Sequence, residues 1–225
     1  MSSSSQISIP STVTRAVRVL LCALLCGATA NASGASLVVH VLQRNGKPLP
    51  GAVVTAEPES SPSPAAPPVK AIMDQVDLAF LPDVLVIPVH STVQFPNSDA
   101  VGHQVYSFSS ARQFQLPLYR GKPYPPVQFD QPGVVTLGCN IHDNMLGYIV
   151  VTAAPWFGRT DAHGAWQGRE LPAGKLRVRV WHPLLNEPQE LARSVELNGD
   201  GSVELQLAKP LRPAPLSGRP RSWDY

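Results

Sequence analysis

Cys139, His142 and Met145 set a thiolate, an imidazole and a thioether at the spacing Cys-X2-His-X2-Met, inside the segment Gly138-Cys139-Asn140-Ile141-His142-Asp143-Asn144-Met145-Leu146-Gly147. A tight loop between two strands can point all three at one ion. Thiolate and thioether are soft ligands and imidazole is intermediate, so the set selects copper over calcium or magnesium. A weak, long axial Met is the mark of electron-transfer copper. The fourth ligand must come from elsewhere in the chain. His103 is the best candidate, because Val93 to Gly102 runs from a strand through a polar loop to this residue; His90, in the preceding turn, is the fallback. Two His and one Cys would form a trigonal plane with Met145 above it, a compromise between the preferences of Cu(I) and Cu(II). Structural zinc favours closed tetrahedral Cys and His sets and has no use for a thioether, so Met145 argues against it.

Taken singly, each residue has a plainer reading: Cys139 as a small buried hydrophobe, His142 as a surface residue, Met145 as core. Their combination points to a metal, as does the cysteine count. Of three cysteines, Cys22 and Cys26 lie in the apolar run Val19 to Ala28, which follows Arg15 and Arg18 and precedes the small-residue sites Ala28-Thr29-Ala30 and Ala30-Asn31-Ala32. That is the layout of a cleaved secretory signal over residues 1–32. A lipid anchor on Cys22 or Cys26 is the competing reading, weakened by Leu21 and Leu25 where a small residue would be expected. Cleavage leaves Cys139 without a disulfide partner in an oxidising compartment, where a lone thiol is a liability, a buried hydrophobe or a ligand. The run is too short for a permanent membrane span and no later segment approaches one. Without Arg15 and Arg18 the 18 basic residues fall to 16, equal to the acidic ones. Neither sign forms long runs, so nucleic acid and charged membrane surfaces are not expected partners.

The elements that must position these residues read as all-β: Pro and Gly punctuation is dense, β-branched runs are short, and no helical period persists. Strands are expected at 37–42, 52–56, 84–87, 92–95, 104–108, 134–137 and 148–152, with a half-buried strand at 175–181 and a closing hairpin of 195–197 with 203–207. Glu57 to Pro68 reads as a linker unable to order itself, Leu116 to Pro126 as loop or edge, and Pro210 to Tyr225 as a disordered tail.

From about Val84 to Thr152 the chain resembles the cupredoxins, and its short Cys-X2-His-X2-Met loop is most similar to that of amicyanin. Phe95, Asn97 and His103 fall on the first-ligand segment of plastocyanin-like proteins, and Cys139, His142 and Met145 on the second. The whole mature chain resembles bacterial plastocyanin-like or "methylamine utilization" proteins. The resemblance implies a Greek-key β-sandwich, copper binding and electron transfer. One departure is Gln104, where many cupredoxins carry an Asn that helps tie the ligand loops together. The flanks resemble a carboxypeptidase regulatory-like or transthyretin-like sandwich, through Gly46-Lys47-Pro48-Leu49-Pro50-Gly51-Ala52-Val53-Val54, Thr160-Asp161-Ala162-His163-Gly164 and Leu171-Pro172-Ala173-Gly174.

The expected organisation is a second, smaller β-sandwich of residues 37–57 plus 155–208, with a cupredoxin domain of 71–153 inserted and 209–225 as tail; two successive domains is the alternative. The expected function is a periplasmic or secreted monomer that holds one type 1 copper ion at His103, Cys139, His142 and Met145 and passes single electrons to an unidentified redox protein. A copper carrier or buffer without redox turnover is the alternative, disfavoured because Met73 and Met145 are the only methionines of the mature chain. An enzyme is not expected: multicopper oxidases and reductases need further histidines, typically as His-X-His, and there is no Gly-X-Ser-X-Gly elbow. His40, His163 and His182 read as ordinary polar residues.

Overall fold

The computed structural model describes residues 34–60, 64–121, 123–185 and 191–214. The signal segment and most of the tail lie outside the described residues. Among the described residues, seventeen strands account for the regular structure and no helix occurs. They are β1 (Ala35–Leu42), β2 (Val53–Pro58), β3 (Lys70–Ile72), β4 (Asp74–Val76), β5 (Ala79–Leu81), β6 (Val84–Pro88), β7 (Ser91–Gln94), β8 (Val105–Ser109) and β9 (Arg112–Gln115). There follow β10 (Val127–Phe129), β11 (Gly133–Cys139), β12 (His142–Thr152), β13 (Trp156–Arg159), β14 (Ala165–Leu171), β15 (Gly174–Trp181), β16 (Leu191–Leu197) and β17 (Gly201–Gln206).

The middle of the chain builds a five-stranded sheet, β6-β12-β11-β8-β9, and a three-stranded sheet, β10-β7-β3. Between them lies a core of Phe95, Phe129, Leu137, Ile149 and Met73, all buried. The first and last strands of the described chain build the other pair: β14-β1-β17 and β13-β2-β15-β16, around Leu37, Val39, Leu171, Leu176 and Val178. Period-2 patterning explains these faces. Along β15, Leu176, Val178 and Val180 point inward while Lys175, Arg177 and Arg179 point out. The Leu37–Leu42 strand pairs with β14 and β17, not with the strands that carry the Cys and His residues.

Gly164 marks one turn where only glycine fits: φ is +70° and a Cβ would lie 2.6 Å from the Val41 carbonyl oxygen. The two cores meet at a smaller seam of Val53, Val84 and Val150, with Tyr148 and Trp181 edge to face at 5.4 Å. Arg159 fastens it, donating through Nη1 to Asp83 (3.1 Å) and to the Val84 carbonyl (3.1 Å).

Several expectations change. The closing hairpin does not form: β16 pairs with β15 while β17 crosses to pair in parallel with β1, so the Asn198 to Asp200 turn joins two different sheets. The linker begins later than its composition suggests, because β2 runs to Pro58 and Glu59 still bonds β15 through its amide and the Arg177 side chain, and β16 through the Ser194 hydroxyl. The tail is tied down at its start: Leu211 packs on the second core, and Arg212 donates to the carbonyls of Leu184 and Pro183. His182, read as an ordinary polar residue, has a local structural role. It is partly buried, its Nδ1 accepts the Leu184 amide (3.2 Å), and burial, aided by the nearby Arg159 charge, depresses its pKa. A histidine with a depressed folded pKa stabilises the fold fully above its unfolded value of about 6.5, and that contribution is lost as pH falls below it. The denaturation midpoint is therefore expected to drop between pH 7.5 and 5.5 by more in the wild type than in His182→Gln.

Candidate metal centre

Strand β11 ends on Cys139 and β12 begins on His142, so only Asn140 and Ile141 separate them. The register slips here: Gly138 faces Leu146, whereas Cys139 faces His142. Asp143, Asn144 and Met145 are the extra residues on β12. Such bulges re-aim side chains, and here Met145 turns inward to 2 % exposure while its neighbours Asp143, Asn144 and Leu146 stay exposed.

His103 arrives from the other side. It precedes β8 and is held by a reciprocal backbone pair with Tyr119, each amide donating to the other's carbonyl at 3.0 Å. Asn97 pins the preceding loop, donating to the carbonyls of Val101 and Tyr119 and accepting the Asp99 amide, all at 3.0 Å. Tyr119 is anchored at its other end, where its hydroxyl donates to the Phe95 carbonyl (2.6 Å) and accepts from Gln75 (2.5 Å). Burial pushes that phenol up to about 12, so it stays a donor. The missing Asn after His103 is answered by backbone, since the Asn140 amide donates to the Gln104 carbonyl (3.4 Å) and β8 pairs directly with β11 through Cys139 and Val105.

These constraints bring three of the expected residues together. His103 Nδ1 and His142 Nδ1 are 3.1 Å apart, and Cys139 Sγ lies 3.7 Å from the first and 3.5 Å from the second. Donor atoms about 2.0 Å (nitrogen) and 2.3 Å (sulfur) from a shared ion, at trigonal to tetrahedral angles, are separated by roughly 3.3–3.7 Å. The two sulfur–nitrogen separations match this range and the nitrogen pair lies just inside it, so a shift of a few tenths of an ångström would let the three atoms hold one ion. Cys139, His103 and Met145 are buried and His142 is half-buried; burial, then the neighbouring His103, depresses the His142 pKa, keeping the ring in the neutral form that ligands require. Met145 shares the core cluster of Cys139. His90 does not join the group; it bonds Asp130 at the surface (3.0 Å).

Residues that the sequence reading did not single out complete the surroundings. Asp99 Oδ2 lies 2.7 Å from His103 Nε2. Burial raises the Asp99 carboxyl, but the Leu78 amide, His103 and the Asp77 amide together outweigh it and hold the group below its ordinary value. A carboxylate four residues before a candidate histidine was the available signal. Phe80 has no such signal: it fills the space above Gly147, where a Cβ would lie 2.8–2.9 Å from three of its atoms, its own Cβ included. Gly147→Ala is expected to cost about 1–3 kcal/mol by overpacking, read as a lower denaturation midpoint.

The fold and the centre thus define an all-β, two-layered framework closing a His-Cys-His group at one end of a sheet. Among solved structures, the chain is similar to a purple cupredoxin from Nitrosopumilus maritimus, at 24% identity over 37% of this chain and 99% of that one (TM-score 0.33). It is also similar to an amicyanin variant in its reduced state, at 22% identity over 44% of this chain and 99% of that one (TM-score 0.33). A copper-containing nitrite reductase from Thermus scotoductus SA-01 matches at 26% identity over 50% of this chain, and the match spans 28% of that enzyme's length (TM-score 0.35). No protein-family model matches the chain, and no curated protein does.

Proposed function

We propose that this chain is an exported copper protein that binds one type 1 ion through His103, Cys139, His142 and Met145 and carries single electrons. The observation that carries the reading is the convergence of one thiol sulfur and two imidazole nitrogens within 3.7 Å of one another, with a buried thioether on the same loop. Bound there, copper supplies a one-electron couple. The protein's own part is rigidity: ligands fixed by two strands, a bulge and a buried hydrogen-bond network keep one arrangement in both oxidation states, so little reorganisation opposes electron exchange.

His142 is the half-buried member of the set, and Val101 (44 %), Ile141 (50 %) and Leu118 (60 %) are exposed large apolar residues on the loops around it. Such a rim suits brief docking of a redox protein. The carrier reading is less well supported, because handing over an ion requires access that buried His103, Cys139 and Met145 do not give. Residues 71–153 are proposed as a copper domain inserted into a sandwich of 37–57 plus 155–208, and the mature chain as a monomer of the periplasm or exterior, without enzymatic activity of its own. No helix among the described residues is long and apolar enough to cross a membrane. The test is Cu(II) titration of the purified mature chain followed by visible and EPR spectra and voltammetry. An intense thiolate-to-copper band, narrow hyperfine splitting and a reversible one-electron wave support the shuttle. Tightly bound copper with an ordinary tetragonal signal and no reversible wave would favour the carrier.

A further inference from the structure

Both ring nitrogens of His103 are engaged, and the residue is wholly buried. Its Nδ1 faces Cys139 and His142, while its Nε2 meets Asp99 Oδ2 at 2.7 Å. The same carboxylate takes two backbone amides: Asp77 donates to Oδ1 (2.6 Å) and Leu78 to Oδ2 (3.0 Å). Those amides belong to the two-residue turn between β4 and β5, which pair from Val76–Ala79 outward. Asp77 has φ +52° and Leu78 φ +60°. Two successive left-handed residues are the signature of a type I′ hairpin, a turn that favours Asn and Gly. A leucine there is strained, and strain of this kind persists only where its surroundings over-determine it. The hairpin is indeed fastened twice to the His103 loop: through Asp99, and through Asp74, which accepts the Ser98 amide (3.2 Å) and hydroxyl (2.7 Å).

We propose that the β4–β5 turn is a positioning device for His103, acting through Asp99 to fix the ring as its Nε2–H tautomer, with the Nδ1 lone pair aimed at Cys139 and His142 before any ion arrives. A carboxylate only accepts, and the other two groups on it, the Asp77 and Leu78 amides, only donate. The proton of a neutral His103 must therefore sit on Nε2. The ring cannot turn over without stranding Asp99, and Asp99 cannot swing away without stranding the two amides of the turn. Backbone geometry 25 residues upstream thereby sets which nitrogen is free to bind. The consequence for copper rests on the metal-centre reading; the tautomer is a property of the metal-free chain.

The experiment is long-range proton–nitrogen correlation NMR on the metal-free, isotope-labelled mature chain, paired with Cu(II) titration. The wild type is expected to show His103 in the Nε2–H form alone. In Asp99→Asn one accepting oxygen becomes a donor facing donors; the single tautomer is expected to be lost and copper affinity to fall 10–100-fold, the usual effect of removing a group that orients a ligand histidine. Leu78→Gly keeps both amides and suits the positive φ, so tautomer and affinity are expected to match the wild type, excluding a role for the leucine side chain. The wild-type spectrum tests the proposal even if Asp99→Asn fails to fold. A wild-type His103 protonated on Nδ1, or an Asp99→Asn chain with tautomer and affinity unchanged, overturns the proposal. A wild type that shows the Nε2–H form yet binds no copper supports the positioning role and overturns the metal-centre reading instead.

Discussion

Cys139→Ser is expected to abolish the intense visible band of the copper-loaded protein and to weaken copper binding by about 100-fold or more, since changing a residue that merely orients a ligand already costs 10–100-fold. The side chains are nearly isosteric and Cys139 is 4 % exposed, so the fold should survive, with far-UV dichroism and the denaturation midpoint of the metal-free chain close to wild type. What changes is electronic: the hydroxyl is a hard donor and stays protonated, whereas the thiolate is soft and charge-donating. Two histidines 3.1 Å apart at Nδ1 remain, enough for a weak, tetragonal Cu(II) signal. A Cys139→Ser protein that kept the band would show that another chromophore produces it.

Phe129→Ala is expected to be the most destabilising single substitution in the middle pair of sheets. The ring is fully buried, stands edge to face with Phe114 at a centroid distance of 6.1 Å, and fills the space between β10 and the five-stranded sheet. Truncating a buried Phe costs about 3–5 kcal/mol, against a total stability on the order of 5–15 kcal/mol. The measurable result is a much lower denaturant midpoint for the metal-free variant. Copper at 100 times its dissociation constant should return about 2.7 kcal/mol by mass action. A midpoint that copper leaves unmoved would mean that ion binding and this core are not coupled.

Much of this was legible in the sequence because the relevant signals are local. The runs around Val38, Val86, Val105, Val135 and Val150 alternate or stay apolar over strand lengths, and the structure places strands on each of them. The spacing of Cys139 and His142 pointed to the pair that the structure brings together. Pairing was less legible. Nothing in Val203-Glu204-Leu205 reveals that its partner is a strand more than 160 residues away, while the Asn198 to Gly201 turn is good local evidence for a hairpin that the sheets do not build. The hairpin of β4 and β5 was missed for a related reason: Asp77-Leu78 lacks the glycine that marks such turns, because a carboxylate from a distant loop supplies what local chemistry would otherwise have to. The bulge at Asp143 to Met145 was hidden too, since a slip of register leaves no trace in composition.

The parallel pairing of β1 with β17 also orders events in time. Leu37 meets Gly201 only after everything between them exists, whereas the last strand of the middle sheets ends at Thr152. A chain emerging N-terminus first can assemble the strands and loop that carry His103, Cys139 and His142 while β1, whose alternate residues are buried in the finished fold, still lacks both neighbours. Non-local closures of this kind are slow, and an unpaired apolar edge invites association meanwhile. The vulnerable interval in the life of this protein is the wait for its final strand.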